Sequence, residues 1–230
     1  MNFELHEFGP ALAAGMLMTV KLALSALCLG LVLGLLGALA KTSSHRGLQW
    51  LGGAYSTLVR GVPELLWVLL IYFGTVNGLR ALGELIGIPG LELNAFAAGV
   101  IALGLCFGAY ATEVFRGALL AVPKGHREAG LALGMSRPRI FFRVVMPQMW
   151  RIALPGLGNL FMILMKDTAL VSVIGLEEIM RHAQIAVSVT KEPFTFYLAA
   201  AFMYLALTVV AMTGMYFLEK RAARGFTRSA

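Results

Sequence analysis

The chain has 230 residues, of which 59 % are hydrophobic and 13 % charged, and its mean hydropathy is +0.79. This lies far outside the composition of water-soluble domains and reads as a membrane protein. The formal charge of +7 is then a matter of topology and anionic lipid, which excludes nucleic acid as the natural partner. Cys28 and Cys106 both fall in apolar runs, where a thiol acts as a small hydrophobe, so neither a disulfide framework nor a metal site is expected. Near the start, Glu4 and Glu7 without a basic residue are the wrong charge for a cleaved signal. The first apolar segment is expected to stay in the protein.

A bilayer core of roughly 30 Å takes about 20 apolar residues in helical form. Five such runs are present, at about 11–40, 58–79, 93–115, 152–176 and 193–218. The expected fold class is therefore all-α, a polytopic bundle of five transmembrane helices in one domain spanning 1–230. Segments 41–57, 116–151 and 219–230 hold two, seven and four lysines and arginines, whereas 1–10, 80–92 and 177–192 hold none, one and two. Because cytoplasmic loops retain basic residues, the N-terminus is expected outside and the C-terminus inside. Glycines four apart recur at Gly30 and Gly34, Gly74 and Gly78, and Gly104 and Gly108. They permit close helix approach, either within the bundle or against a second membrane subunit.

The largest cytoplasmic loop, about 122–148, begins PKGHREAGLALG. Pro123 suits a first helical turn and Gly134 a helix C-terminus. Ser136 and Pro138 start a second helix with an apolar stripe of Ile140, Phe141, Val144 and Val145, while Arg139 and Arg143 occupy another face. Pro147 and Pro155 are expected to bound the entry to the fourth span. The first short helix is marginal alone, and its Ala129, Gly130 and Ala132 expose little side chain, which suits close gripping by another protein. An interfacial helix whose arginines snorkel to lipid phosphates is the alternative.

Glu128, Ala129, Gly134 and Pro147 resemble the EAA loop of binding-protein-dependent ABC importer permeases. RGVPELL at Arg60–Leu66, GAYATEVFRGALLAVPKGHREA at Gly108–Ala129 and KDTALVSVIGLEEI at Lys166–Ile179 resemble the permeases for polar amino acids, in particular the histidine, lysine, arginine and ornithine group. The resemblance covers essentially the whole chain. It implies the type I ABC importer transmembrane fold in a bacterial inner membrane, and import of polar, specifically basic, amino acids.

By the same resemblance Glu128, Ala129 and Gly134 belong to a coupling helix docked on a cytoplasmic ATPase, with Lys124 and Arg127 as flanking contacts. Gly130 departs from the usual motif, which has a second alanine there. The implied partners are a second homologous permease, a dimeric ABC ATPase, a periplasmic solute-binding protein and membrane lipid. The ATP and magnesium belong to the ATPase: this chain has no GxxxxGK[ST], HExxH or GxSxG, binds no cofactor by this reading, and is expected to be no enzyme.

Ionisable residues inside spans mark pathways or pairings. Glu64, Glu113, Lys166 and Asp167 qualify. Glu113 and Arg116, three apart, read as a helix-surface pair. Lys166 and Asp167 are about 100° apart around a helix, so they cannot both face one lumen, and a pairing role is expected for at least one. For a cationic solute, Glu64 or Asp167 is placed to face its side chain, with Tyr72 and Tyr110 as further candidates for the same path. Segment 175–193, GLEEIMRHAQIAVSVTKEP, reads as a short amphipathic helix outside the bilayer. The rivals are a self-contained secondary carrier, disfavoured because the five unequal spans show no inverted repeat, and a membrane-embedded enzyme. The residues leave open which amino acid is carried and whether the second permease is identical.

Overall fold

A computed structural model describes residues 5–86 and 93–223, and among these the regular structure is helical throughout. Helix α1 (Leu5–Lys41) is followed by α2 (Arg46–Gly61), α3 (Glu64–Ile86) and α4 (Ala95–Ala121). A short α5 (Lys124–Ala132) and one turn of α6 (Arg137–Ile140) precede a π-helical turn, Phe141–Val145, that runs into α7 (Met146–Asp167). A 3-10 segment (Thr168–Ile174), α8 (Ile179–Thr190) and α9 (Pro193–Ala222) complete the described chain. Of the external segment expected at 80–92, residues 87–92 lie outside the described residues.

Four helical stretches are each long and apolar enough to cross a membrane, and α2 with α3 forms a fifth only as a pair bent by 104°. The break falls inside the span expected at 58–79. Proline drives the residue before it out of the helical region. Val62 is extended, with φ −116° and ψ 136°, so the chain turns sharply at Pro63 and α3 restarts at Glu64.

The expected boundary at Pro147 and Pro155 is also corrected. Helix runs from Arg137 to Asp167 without a break. The missing N–H of Pro147 falls directly after the π turn, where the wider ring already relaxes the i to i−4 ladder, and Pro155 is carried inside α7.

Helix α4 lies at the centre and α9 at the edge: 61 % of the apolar window of α4 is buried, against 11 % for α9. The centre is set by glycine. A Cβ on Gly30 would lie 2.9 Å from the Gly104 carbonyl oxygen, and one on Gly34 would lie 2.6 Å from Ala111 Cβ. Helices α1 and α4 therefore touch backbone to backbone, and the Gly30/Gly34 and Gly104/Gly108 pairs pack this chain against itself. Gly74 and Gly78 have nothing within 4 Å. Around this seam Leu22, Leu103, Phe115, Met149 and Val171 form the core, each at most 1 % exposed.

Candidate functional site: an acidic cavity and a cytoplasmic helix

Where α3 begins, it meets α4 and the end of α7 around a cavity of about 160 Å³. Leu103, Cys106, Phe107 and Tyr110 line it from α4, and Leu160, Ile163, Leu164 and Asp167 from α7. Both sets fall at i, i+3, i+4 and i+7, the spacing of one helix face. Glu64 enters from the first turn of α3, and Tyr110 donates its hydroxyl hydrogen to Glu64 Oε1 at 3.0 Å.

The structure thus brings Glu64, Tyr110 and Asp167 together. Tyr72 is not among the lining residues; it packs on the central core, with its ring 5.2 Å from Phe73. Lys166 is turned outward and exposed, as the angular separation from Asp167 requires. Among the described residues neither Lys166 nor Asp167 forms an ion pair within this chain. Asp167 faces the cavity, where no cationic side chain stands.

Glu113 is more than half of a surface pair. Arg116 Nε donates to its Oε2 at 2.8 Å, as the three-residue spacing implies. In addition Lys41 Nζ pairs with Oε1, Arg60 Nη2 lies 3.7 Å from the same oxygen, and the Ser56 hydroxyl donates to it at 3.3 Å. One carboxylate therefore joins α1, α2 and α4. Three of these partners sit more than fifty residues away in sequence, so helix periodicity carried no trace of them. Arg60, next to Glu64 on paper, reaches to Glu113 instead. Tyr110 and Glu113, one turn apart on α4, thereby hold the two sides of the Pro63 bend.

Helix α5 ends in a left-handed glycine. Gly134 has φ +71°; its N–H bonds the Leu131 carbonyl at 2.9 Å and the Met135 N–H bonds the Gly130 carbonyl at 3.0 Å. This double closure is the Schellman arrangement, which only glycine enters without strain. His126 Nδ1 stands 2.7 Å from Gln148 Oε1, fastening α5 to α7.

Lys124, Arg127, Glu128 and Ala129 are exposed, Lys124 and Arg127 beside Thr42 and Leu119. Gly130 is buried, and a Cβ there would lie 2.8 Å from Ile140 Cγ1. It seats the helix closely against Ile140. Leu131 and Leu133 are 54 % and 81 % exposed. These apolar residues stand beside the small outward face and were not singled out from sequence, because leucine in a helical run reads as core.

Helix α8 starts at a buried acid. Glu178 caps it by accepting the N–H groups of Met180 at 2.9 Å and Arg181 at 2.8 Å, and it receives the Tyr204 hydroxyl at 2.6 Å. Burial pushes its carboxyl above the usual range, and these three donors pull it part of the way back.

A family model described as the binding-protein-dependent transport system inner membrane component matches residues 27–224. The chain is 41 % identical to the histidine/lysine/arginine/ornithine transport system permease protein HisQ of Escherichia coli (strain K12), over 98 % of this chain and 99 % of that one. It is 44 % identical to the arginine ABC transporter permease protein ArtQ of the same strain, over 96 % and 98 %. With the octopine transport system permease protein OccQ of Rhizobium meliloti it shares 43 % identity over 99 % and 97 %. Among solved structures, an amino acid ABC transporter crystallised with histidines superposes with a TM-score of 0.80 at 35 % identity, covering 96 % of this chain and 99 % of that one. The inward-facing MetNI methionine ABC transporter, at 16 % identity and a TM-score of 0.75 over 93 % and 97 %, shares the fold.

Proposed function

The chain belongs to the binding-protein-dependent transport system inner membrane components, and from that premise we propose that it forms half of a two-permease core importing basic amino acids. It is a membrane permease subunit of an amino acid ABC importer and not an enzyme. In this reading arginine, histidine, lysine or ornithine crosses the bilayer between this chain and a second, homologous permease. A dimeric cytoplasmic ATPase holds the ATP and magnesium, and a periplasmic protein delivers the solute at the α8 side. The lysine and arginine alternation between spans supports an external N-terminus and a cytoplasmic C-terminus.

One observation carries the solute class. Glu64 and Asp167 converge on one cavity whose remaining lining is almost wholly apolar, with no cationic side chain among the lining residues. Two carboxylates left without a counter-charge in a low-dielectric site favour a ligand that brings one, and a guanidinium or ammonium does. At the other end, α5 offers Lys124, Arg127, Glu128 and Ala129 to the ATPase, with Gly130 and Gly134 fixing its seat and its end. When ATP closes the ATPase dimer, this helix passes the movement to α4 and α7, and access to the cavity alternates.

The test is reconstitution in liposomes with the candidate ATPase and binding protein, following labelled arginine. Uptake should require internal ATP and fall at least tenfold in Asp167→Asn, with membrane insertion unchanged. Uptake by the lone chain, indifferent to ATP, would instead mean a secondary carrier.

A further inference from the structure

Beside α5 lies a second cavity, larger than the acidic one. It encloses about 350 Å³ between the ends of α1 and α4 and the stretch that runs from α5 to the π turn. Leu39, Leu119, Ile140 and Val145 are among its apolar walls, and Arg127 and Arg137 are the charged groups among its lining residues. At Thr42, Leu119 and Arg127 it continues into a crevice of about 160 Å³ that adds Lys124. Lys124, Arg127 and Leu131 recur at i, i+3 and i+7, so one face of α5 looks into this space.

Its cations have no counter-charge. Among the described residues none of Lys124, Arg127 and Arg137 forms an ion pair, and no acidic side chain is among the residues lining either space. The Thr42 hydroxyl already donates to the Ala38 carbonyl at 2.9 Å, so it leaves the charge to the basic residues. Three positive groups beside apolar walls repel one another. The occupant that relieves this carries negative charge at one end and hydrocarbon at the other.

Depth in the bilayer fits a phospholipid. The 27 residues of α4 span about 40 Å against a hydrocarbon core of about 30 Å. With the helix centred, its last turn, which holds Leu119, stands at headgroup level. From Leu39 an exposed apolar row runs back along α1 through Leu36, Val32 and Cys28, at the spacing of one helix face. A hydrocarbon chain laid on that row passes from the bilayer into the cavity without leaving apolar contact.

We propose that this space is a site for an anionic phospholipid, its phosphate gripped by Arg127 and Arg137 with Lys124 beside them, and its chain following α1. The planar forks of arginine match phosphate oxygens, and anionic lipid gives the inner leaflet its negative potential. Because Arg127 belongs to α5, the bound lipid sets how firmly that helix is held to α1 and α4. Movement delivered by the ATPase then reaches those helices in full only in an anionic membrane. This inference rests on the reading of α5 as the cytoplasmic coupling helix. Arg137, on α6, reports the lipid separately from ATPase docking.

The probe is phosphatidylglycerol, titrated into phosphatidylcholine nanodiscs that hold the permease–ATPase–binding-protein complex. Native mass spectrometry counts the phosphatidylglycerol that the permease retains, and ATP hydrolysis stimulated by solute-loaded binding protein reports coupling. In the parent both should rise together and saturate. Arg137→Gln should raise the half-saturating fraction about fivefold, and adding Arg127→Gln should abolish saturation. Arg139→Gln, two residues along and outside the cavity, should leave it unchanged. An equal shift in Arg139→Gln would mean general attraction to a charged surface and overturns the site. Saturation by inorganic phosphate in phosphatidylcholine alone would mean a free-anion site, and loss of the ATPase from Arg137→Gln at every lipid composition would mean a protein contact; either result also overturns it. If Arg137→Gln loses the retained lipid while stimulated hydrolysis stays at the parent level, the lipid site stands and the coupling reading of α5 falls.

Discussion

Gly130→Ala probes the seat of the cytoplasmic helix with one methyl group. Alanine is the better helix former by about 1 kcal/mol, so an unconstrained α5 would gain from the change. The structure opposes that gain. The new Cβ would lie 2.8 Å from Ile140 Cγ1 and 3.1 Å from its Cδ1, whereas carbons rest at about 3.5 Å or more, so Ile140 must retreat by about 0.7 Å. Ile140 is 4 % exposed and packed in the central core, and overpacking of this kind costs about 1–3 kcal/mol. The net expectation is a seat loosened by about 0–2 kcal/mol. Ile140→Ala removes the obstructing atoms, and in that background Gly130→Ala should recover its stabilising sign. The assay is the thermal midpoint of the detergent-solubilised permease bound to its ATPase, with the fraction of ATPase retained on size exclusion as a second readout. The same sign in both backgrounds would refute the opposition between Gly130 and Ile140.

Replacing Glu113 with glutamine leaves Lys41, Arg60 and Arg116 gathered around a neutral amide. Because the four side chains are 20–38 % exposed, solvent screens much of the effect, and a loss of about 1–2 kcal/mol in thermal unfolding is expected. Adding Lys41→Met should restore part of it, and an unchanged midpoint in the single variant would remove the cluster from the stability of the fold.

For Glu178 the folded carboxyl sits above its unfolded value, so the folded state binds more protons than the unfolded state in the interval between the two. Stability from this group is thus fully present below the unfolded pKa and is lost as pH rises through the folded one. Hydrogen exchange of α8 amides should slow on mild acidification in the parent, after correction for intrinsic rates, and Glu178→Gln should abolish that part of the dependence.

What could be read in advance followed sequence distance. The apolar runs and the end of α5 at Gly134 are local patterns, and they survive because a bilayer and a helix terminus act on local chain. Pro63 was legible as a break but not as a bend of 104°, since the angle depends on what α4 offers to each side. Pro147 misled for the converse reason, because a π turn placed just before it tolerates the lost N–H. Glu113 and Glu178 escaped a helix-wheel reading: the first collects Lys41 across 72 residues and the second Tyr204 across 26. The inward side of Gly130 was hidden because the residue it meets, Ile140, lies in a different helix.

The grip of Tyr110 and Glu113 on either side of the Pro63 bend makes α4 a lever arm. Its 27 residues span about 40 Å, with the acidic cavity beside its middle and α5 following its C-terminal tip. A tilt of about 5° moves that tip by about 3.5 Å, and the bend, fastened at two points a single turn apart, must travel with it. Work delivered at the tip is thereby divided between two neighbouring helices through a single-turn stretch of one.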